Sequence, residues 1–81
     1  MKGFMAAINL KGIIGAAIRR ERSVLGISQA ELGRRSGLHR TYVSDLERGS
    51  RNPSVGSIQK LARALKIPVA KLFEETGNGR G

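Results

Sequence analysis

The sequence predicts a compact all-α domain of five helices. Three observations carry that prediction. Apolar residues recur at helical spacing through the first, fourth and last helical stretches, helix start and stop residues separate the stretches, and no alternating strand pattern occurs. The central segment SQAELGRRSGLHRTYVSDLE, residues 28 to 47, adds two short helices joined by a tight turn. Two helices linked by a short turn containing Gly form a helix-turn-helix unit, which places the unit at helices two and three.

Residues 1 to 9 are expected to form an arm, with Phe4, Met5 and Ile8 available for packing. Helix one spans Leu10 to Leu25, with Leu10, Ile14, Ala17, Ile18 and Leu25 close to one stripe and Arg19, Arg20 and Glu21 largely outside it. Gly12 and Gly15 each weaken its first turns by roughly 1 kcal/mol relative to Ala, so that end is expected to fray. Gly26 stops the helix. Ser28 and Glu31 then have capping-box spacing: the hydroxyl takes the Glu31 N–H and the carboxylate returns to the Ser28 N–H. Helix two therefore covers Gln29 to Ser36, and Gly37 ends it in a backbone conformation that suits only glycine. Gly33 lies where the two helix backbones must approach.

Helix three begins at about Leu38 or His39 and runs to about Arg48. The segment GSRNPS, residues 49 to 54, is a loop. Ser54 caps helix four, Val55 to Leu65, whose stripe is Val55, Ile58, Leu61, Ala62 and Leu65. Pro68 suits the first turn of helix five, about Pro68 to Glu75, which buries Val69, Leu72 and Phe73. The domain is expected to span residues 10 to 76, with a flexible tail over 77 to 81.

Charge narrows the function classes. Fifteen Lys and Arg against six Asp and Glu give a net charge of +9 and a pI near 11.5. That balance predicts attraction to polyanions, nucleic acid before an anionic membrane surface. There is no cysteine and one histidine, His39, so neither a thiolate zinc site nor a multi-histidine metal cluster is available. No metal, cofactor or small-molecule ligand is expected. The acid-free N-terminus is broken by Lys11 and fits a domain helix better than a leader, and no apolar run reaches a membrane span. A cytoplasmic protein is expected. No carboxylate pair, nucleophile–His arrangement or phosphate-cradling Gly loop points to an enzyme.

Helix three divides into two faces. Val43, Leu46 and Glu47 follow on from Leu38 towards the core, while Arg40, Thr41, Ser44, Asp45 and Arg48 share the other side. A helix in the DNA major groove reads base edges through such residues: Arg bonds guanine in bidentate fashion, the Thr methyl meets thymine, and Ser bonds either type of edge. Asp45 leaves two roles open, accepting from cytosine N4 or repelling phosphate in misregistered complexes. Tyr42 flanks both faces and is expected to pack with its hydroxyl near the backbone or groove edge. His39 is either a helix-start residue or a phosphate contact. Ser28 and Gln29 at the start of helix two, and Arg48, Ser50, Arg51 and Asn52 before helix four, are the candidates for phosphate contact.

Glu47 on the core side needs a cation, because an unpaired buried charge is very costly. Arg19 and Arg22 are the candidates on helix one. Arg22 lies three residues from Leu25 and stays near the inner stripe, which predicts an Arg22–Glu47 pair. One helix-turn-helix covers only a short half-site, so a homodimer with half-sites about one helical turn apart should supply specificity. Ile67, Val69, Leu72 and Phe73 exceed what a small core needs and are assigned to the dimer surface, with the arm as a further contributor.

The run GISQAELGRRSGLHRTYVSDLERGSRNPSVGSIQKLARALKIPVAKLF, residues 26 to 73, resembles the lambda-repressor-like helix-turn-helix family of the xenobiotic-response-element type. The resemblance rests on Gln29, Gly33, Gly37, Val43, Leu46 and the ERG and NPS motifs. It implies backbone and base contact by Gln29, groove contact by Arg40, Thr41, Ser44 and Asp45, and a buried pair at Arg22 and Glu47. Gly in place of the more usual Ala at position 33 is expected to loosen helix two slightly. Within the family, LHRTYVSDLERGSRNPS is most similar to controller proteins of restriction–modification systems, and it also occurs in general regulators. Those controllers are homodimers that bind palindromic operators and tune transcription of the endonuclease gene and their own.

The function expected is therefore sequence-specific transcriptional regulation by a homodimer on double-stranded operator DNA, with RNA polymerase as a further partner and protein concentration as the signal. The competing expectation is an antitoxin or coactivator whose helices chiefly bind another protein. Nonspecific nucleic-acid coating is disfavoured, because one Tyr and two Phe offer little base stacking.

Overall fold

The computed structural model describes residues 9 to 75. The arm residues Phe4, Met5 and Ile8, residue 76 and the tail lie outside the described residues. Four α-helices follow one another: α1 Leu10–Leu25, α2 Gln29–Ser36, α3 Arg40–Glu47 and α4 Val55–Leu65. A 3₁₀ helix, Val69–Phe73, closes the described chain, and no strand occurs among the described residues. No described helix is long and apolar enough to cross a membrane.

Three of the helices start on a hydroxyl or amide cap. Asn9 accepts from the Gly12 N–H at 3.0 Å, Ser28 from the Glu31 N–H at 3.0 Å and Ser54 from the Ser57 N–H at 3.0 Å. The return half of the predicted capping box is not made. The Glu31 carboxylate turns instead to Arg34 and Arg35, at 2.9 and 2.7 Å, one turn further along the same helix. Those two guanidinium groups, Arg35 ahead of Arg34, hold the Glu31 carboxyl below its ordinary value.

The core is continuous across all five elements: Ile14, Ala17 and Ile18 from α1, Leu32 from α2, Val43 and Leu46 from α3, Ile58, Leu61, Ala62 and Leu65 from α4, and Leu72 from the 3₁₀ helix. Burying each Val, Leu or Ile of this set stabilises by about 1.5–3 kcal/mol, the two alanines less. α3 packs between α1 and α2, α4 lies against α2, and the 3₁₀ helix bridges α1 and α4. α3 is thus seated from two sides.

Several expectations need correction. The fifth helix is a short 3₁₀ helix and not an α-helix of two turns. It buries a single side chain, which does not support a longer helix against its nucleation cost. Of the three residues expected inside, Leu72 is wholly buried, which removes it from the assigned dimer surface, whereas Val69 and Phe73 are exposed. Ile67 is half-buried against the core. Leu10, Leu25 and Val55, placed on inner stripes, sit at helix ends and are exposed. α3 is shorter than expected, with His39 and Arg48 as its caps.

The start of α1 holds a further correction. Gly15 is buried at the crossing of α1 with the last turn of α3, and a Cβ there would overlap the Leu46 carbonyl. What reads in sequence as a weak helix turn is the point of closest approach between the two helices. Gly33 serves α2 and α3 in the same way: a Cβ would stand 2.7 Å from the Leu38 carbonyl oxygen and 3.3 Å from the Arg40 nitrogen. Its missing side chain tightens the turn.

Candidate nucleic-acid interface

α3 begins on an unusual cap. The His39 ring accepts from the Thr41 N–H through Nδ1 at 3.1 Å, which leaves Nε2 as the protonated nitrogen in this tautomer and holds the first turn. His39 is itself exposed. From this start Val43 and Leu46 point into the core, and Arg40 and Thr41 project to solvent, with Ser44 and Asp45 half-buried beside them. The Arg40 guanidinium has no hydrogen bond or ion pair among the described residues.

An open groove of about 570 Å³ lies between the N-terminus of α2 and the outer side of α3. Around it stand Ser28, Gln29, Arg40, Thr41, Ser44, Asp45 and Arg48, seven of the residues singled out in the sequence. His39, Tyr42, Ser50, Arg51 and Asn52 lie outside its lining. Ser50, Arg51 and Asn52 are exposed on the loop after α3. Arg22 and Ala30 also line the groove, and neither was expected there.

Beneath the groove Glu47 and Arg22 form a bidentate pair, with Nε to Oε2 at 2.6 Å and Nη2 to Oε1 at 3.0 Å. The two side chains are 4% and 17% exposed, so the pair is effectively internal. Arg22 spends its remaining reach on the Ile27 carbonyl at 2.9 Å, tying the α1–α2 turn to α3. Burial alone pushes the Glu47 carboxyl up. The bonds from Arg22 and Gln29 and the charges of Arg22 and Arg19 outweigh it and leave Glu47 below its ordinary value. Arg22, bonded to Glu47, is held above its ordinary value against the pull of burial. Arg19 is exposed and contributes charge alone.

Gln29 is more constrained than its sequence position suggests. Its side-chain nitrogen donates to Glu47 Oε1 at 3.0 Å, so the amide is anchored to the internal pair. The amide oxygen, free of that bond, is the group left to face a ligand in the groove. Tyr42 is likewise committed: its hydroxyl donates to Ser57 Oγ at 3.0 Å, joining α3 to α4. The Arg51 guanidinium lies over the Tyr42 ring, 5.0 Å from its centre.

The rim beyond α3 is built around Asp45. Its carboxylate accepts from Arg48 and, at 3.4 Å, from Arg51. Its carbonyl accepts from the Ser50 N–H and the Ser50 hydroxyl, both at 3.1 Å. Arg48 also donates to Ser44 Oγ at 2.8 Å. Electrostatically the groove carries Arg40 towards one end of α3 and Arg48 at the other, around short polar side chains and the Asp45 carboxylate, with Arg51 just outside its lining. Base-edge recognition combined with phosphate contact is what such a surface can perform.

Residues 18–72 match the profile of the Helix-turn-helix family. Control protein C.BamHI of Bacillus amyloliquefaciens is 39% identical over 72 residues, 88% of this chain and 89% of that protein. Control protein C.SmaI of Serratia marcescens is 37% identical over 70 residues, 86% of this chain and 83% of that protein. Among solved structures, the restriction-modification controller protein C.AhdI from Aeromonas hydrophila superposes with a TM-score of 0.76 at 44% identity, covering 78% of this chain and 96% of that one.

Proposed function

Because this chain belongs to the Helix-turn-helix family of transcriptional regulators, we propose that it works as a homodimeric controller of a restriction–modification system, bound to a palindromic operator. The observation that carries the reading is the groove that gathers Ser28, Gln29, Arg40, Thr41, Ser44 and Arg48 on the outer side of a helix whose inner side is locked. Arg40 and Thr41 read base edges, with Ser44 and the Gln29 amide oxygen beside them. Arg48, Ser50, Arg51 and Asn52 meet the phosphates, and the α2 N-terminus at Ser28 adds its partial positive charge. The similarity to C.BamHI and C.SmaI over most of their length supports the controller assignment.

A half-site of this size gives modest specificity, so a second copy doubles the contact and fixes half-site spacing at about 10 bp. Val69 and Phe73, exposed on the 3₁₀ helix beside the half-buried Ile67, supply the apolar surface for it. Dimerisation makes operator occupancy depend steeply on protein concentration. The protein acts in the cytoplasm without enzymatic activity or a small-molecule ligand, and RNA polymerase is the further partner. Selection of duplexes from a random pool tests the reading. An inverted repeat retained by a dimer in sedimentation supports it, and retention without sequence enrichment, or by a monomer alone, rejects it.

A further inference from the structure

Two of the cations expected on phosphate are already occupied within the chain. One carboxylate, Asp45, bonds Arg48 with one oxygen and Arg51 with the other, at 3.4 Å for the second. Arg48 is also held by Ser44 Oγ and Arg51 by the Tyr42 ring. Arg40, by contrast, is free among the described residues. Both held guanidinium groups are more than half exposed, while Asp45 is 21% exposed, so duplex phosphate approaching from solvent meets the arginines before the acid.

We propose that Asp45 is an internal competitor for DNA phosphate, holding Arg48 and Arg51 so that occupancy of any duplex requires a higher protein concentration. The inference rests on the DNA-binding reading above and adds to it a regulatory threshold. A phosphate that takes either arginine must displace the carboxylate or share the cation with it, and the Asp45 charge then stays beside the DNA backbone. The opposition is the same for every sequence, because phosphate is present in every sequence. It differs in this from a base contact, whose loss is felt on one duplex alone.

The test compares wild type, D45N, the pair R48A/R51A and the triple variant on one random-sequence duplex and one selected duplex, by fluorescence anisotropy at several salt concentrations. D45N should bind both duplexes about fivefold tighter, the size of two exposed ion pairs of ordinary strength. The slope of log affinity against log salt should steepen by about 1 to 2, as one or two further phosphates are neutralised. In the R48A/R51A background the same substitution should change affinity less than about twofold. Unchanged affinity and slope in D45N overturn the proposal, as does a gain that persists in full without the two arginines. A loss confined to the selected duplex assigns Asp45 to base reading and overturns it too. Wild type that binds neither duplex in a salt-dependent way removes the DNA reading itself. If D45N melts below the assay temperature, D45S carries the same comparison.

Discussion

Gly15 of α1 sits so close to Leu46 of α3 that a Cβ built on it would overlap the Leu46 carbonyl oxygen. The obstacle is backbone, which cannot swing aside as a side chain can, and the Glu47 carbonyl oxygen lies 3.1 Å from the same point. Replacing Gly15 by Ala should therefore destabilise by about 3 kcal/mol, outweighing the roughly 1 kcal/mol that Ala gains in helix propensity. Urea unfolding followed by circular dichroism measures this. A Gly15→Ala protein as stable as wild type would show that the helices do not approach in this way.

The Arg22–Glu47 pair makes stability depend on pH with a definite sign. Glu47 is held below its ordinary value in the folded chain, so on acidification the unfolded chain takes up its proton first. The stabilisation is complete above the ordinary carboxylate value of about 4.3 and is lost as pH falls through the lower folded value. Glu47→Gln should flatten the dependence of melting temperature on pH in that acid range. Glu47→Ala, which strands Arg22, should cost about 3 kcal/mol at neutral pH. A melting curve that keeps the wild-type acid slope in Glu47→Gln would contradict the assignment.

Tyr42 separates structural from DNA-contact roles. Its hydroxyl is spent on Ser57 between α3 and α4. Tyr42→Phe should lower stability by about 1 kcal/mol and leave duplex affinity within about twofold, since the ring under Arg51 remains. A uniform loss of affinity with unchanged stability would put the hydroxyl on phosphate instead.

Lys66 ends α4 with φ of 61°, the one non-glycine residue among those described with a positive φ. A side chain in this conformation is strained by about 1–2 kcal/mol, part of which Gly recovers after its larger unfolded-state entropy is subtracted. Lys66→Gly should stabilise by about 0.5–1 kcal/mol and raise the thermal midpoint. A fall in the midpoint would show that Lys66 contributes something its exposed position does not suggest.

The legible features were those that local chemistry decides. Ser28, Ser54, Gly26 and Gly37 announce helix ends because capping and positive φ act within a few residues, and the helices they bound begin and end beside them. Arg22–Glu47 was legible because a carboxylate on an apolar face demands a cation. Gly15 was not, since sequence shows its propensity cost and only the crossing of two helices shows its use. The His39 cap escaped because His is an uncommon substitute for Ser, Thr, Asp or Asn. Gln29 was assigned to DNA without its internal bond, which depends on where α3 ends relative to α2. Of Val69, Leu72 and Phe73, all expected inside, only Leu72 is buried, because a 3₁₀ turn rotates each residue further than an α-turn does and leaves one side chain facing the core.

The central claim is that the outer side of α3 reads sequence, and Arg40 tests it most directly because nothing else in the described chain holds its guanidinium. Affinity of wild type and Arg40→Ala is measured on the selected operator and on a scrambled duplex of the same length at one salt concentration. Base reading predicts a loss worth about 1–3 kcal/mol on the operator, with a much smaller loss on the scrambled duplex. Equal losses on both duplexes, or none on the operator, would contradict it.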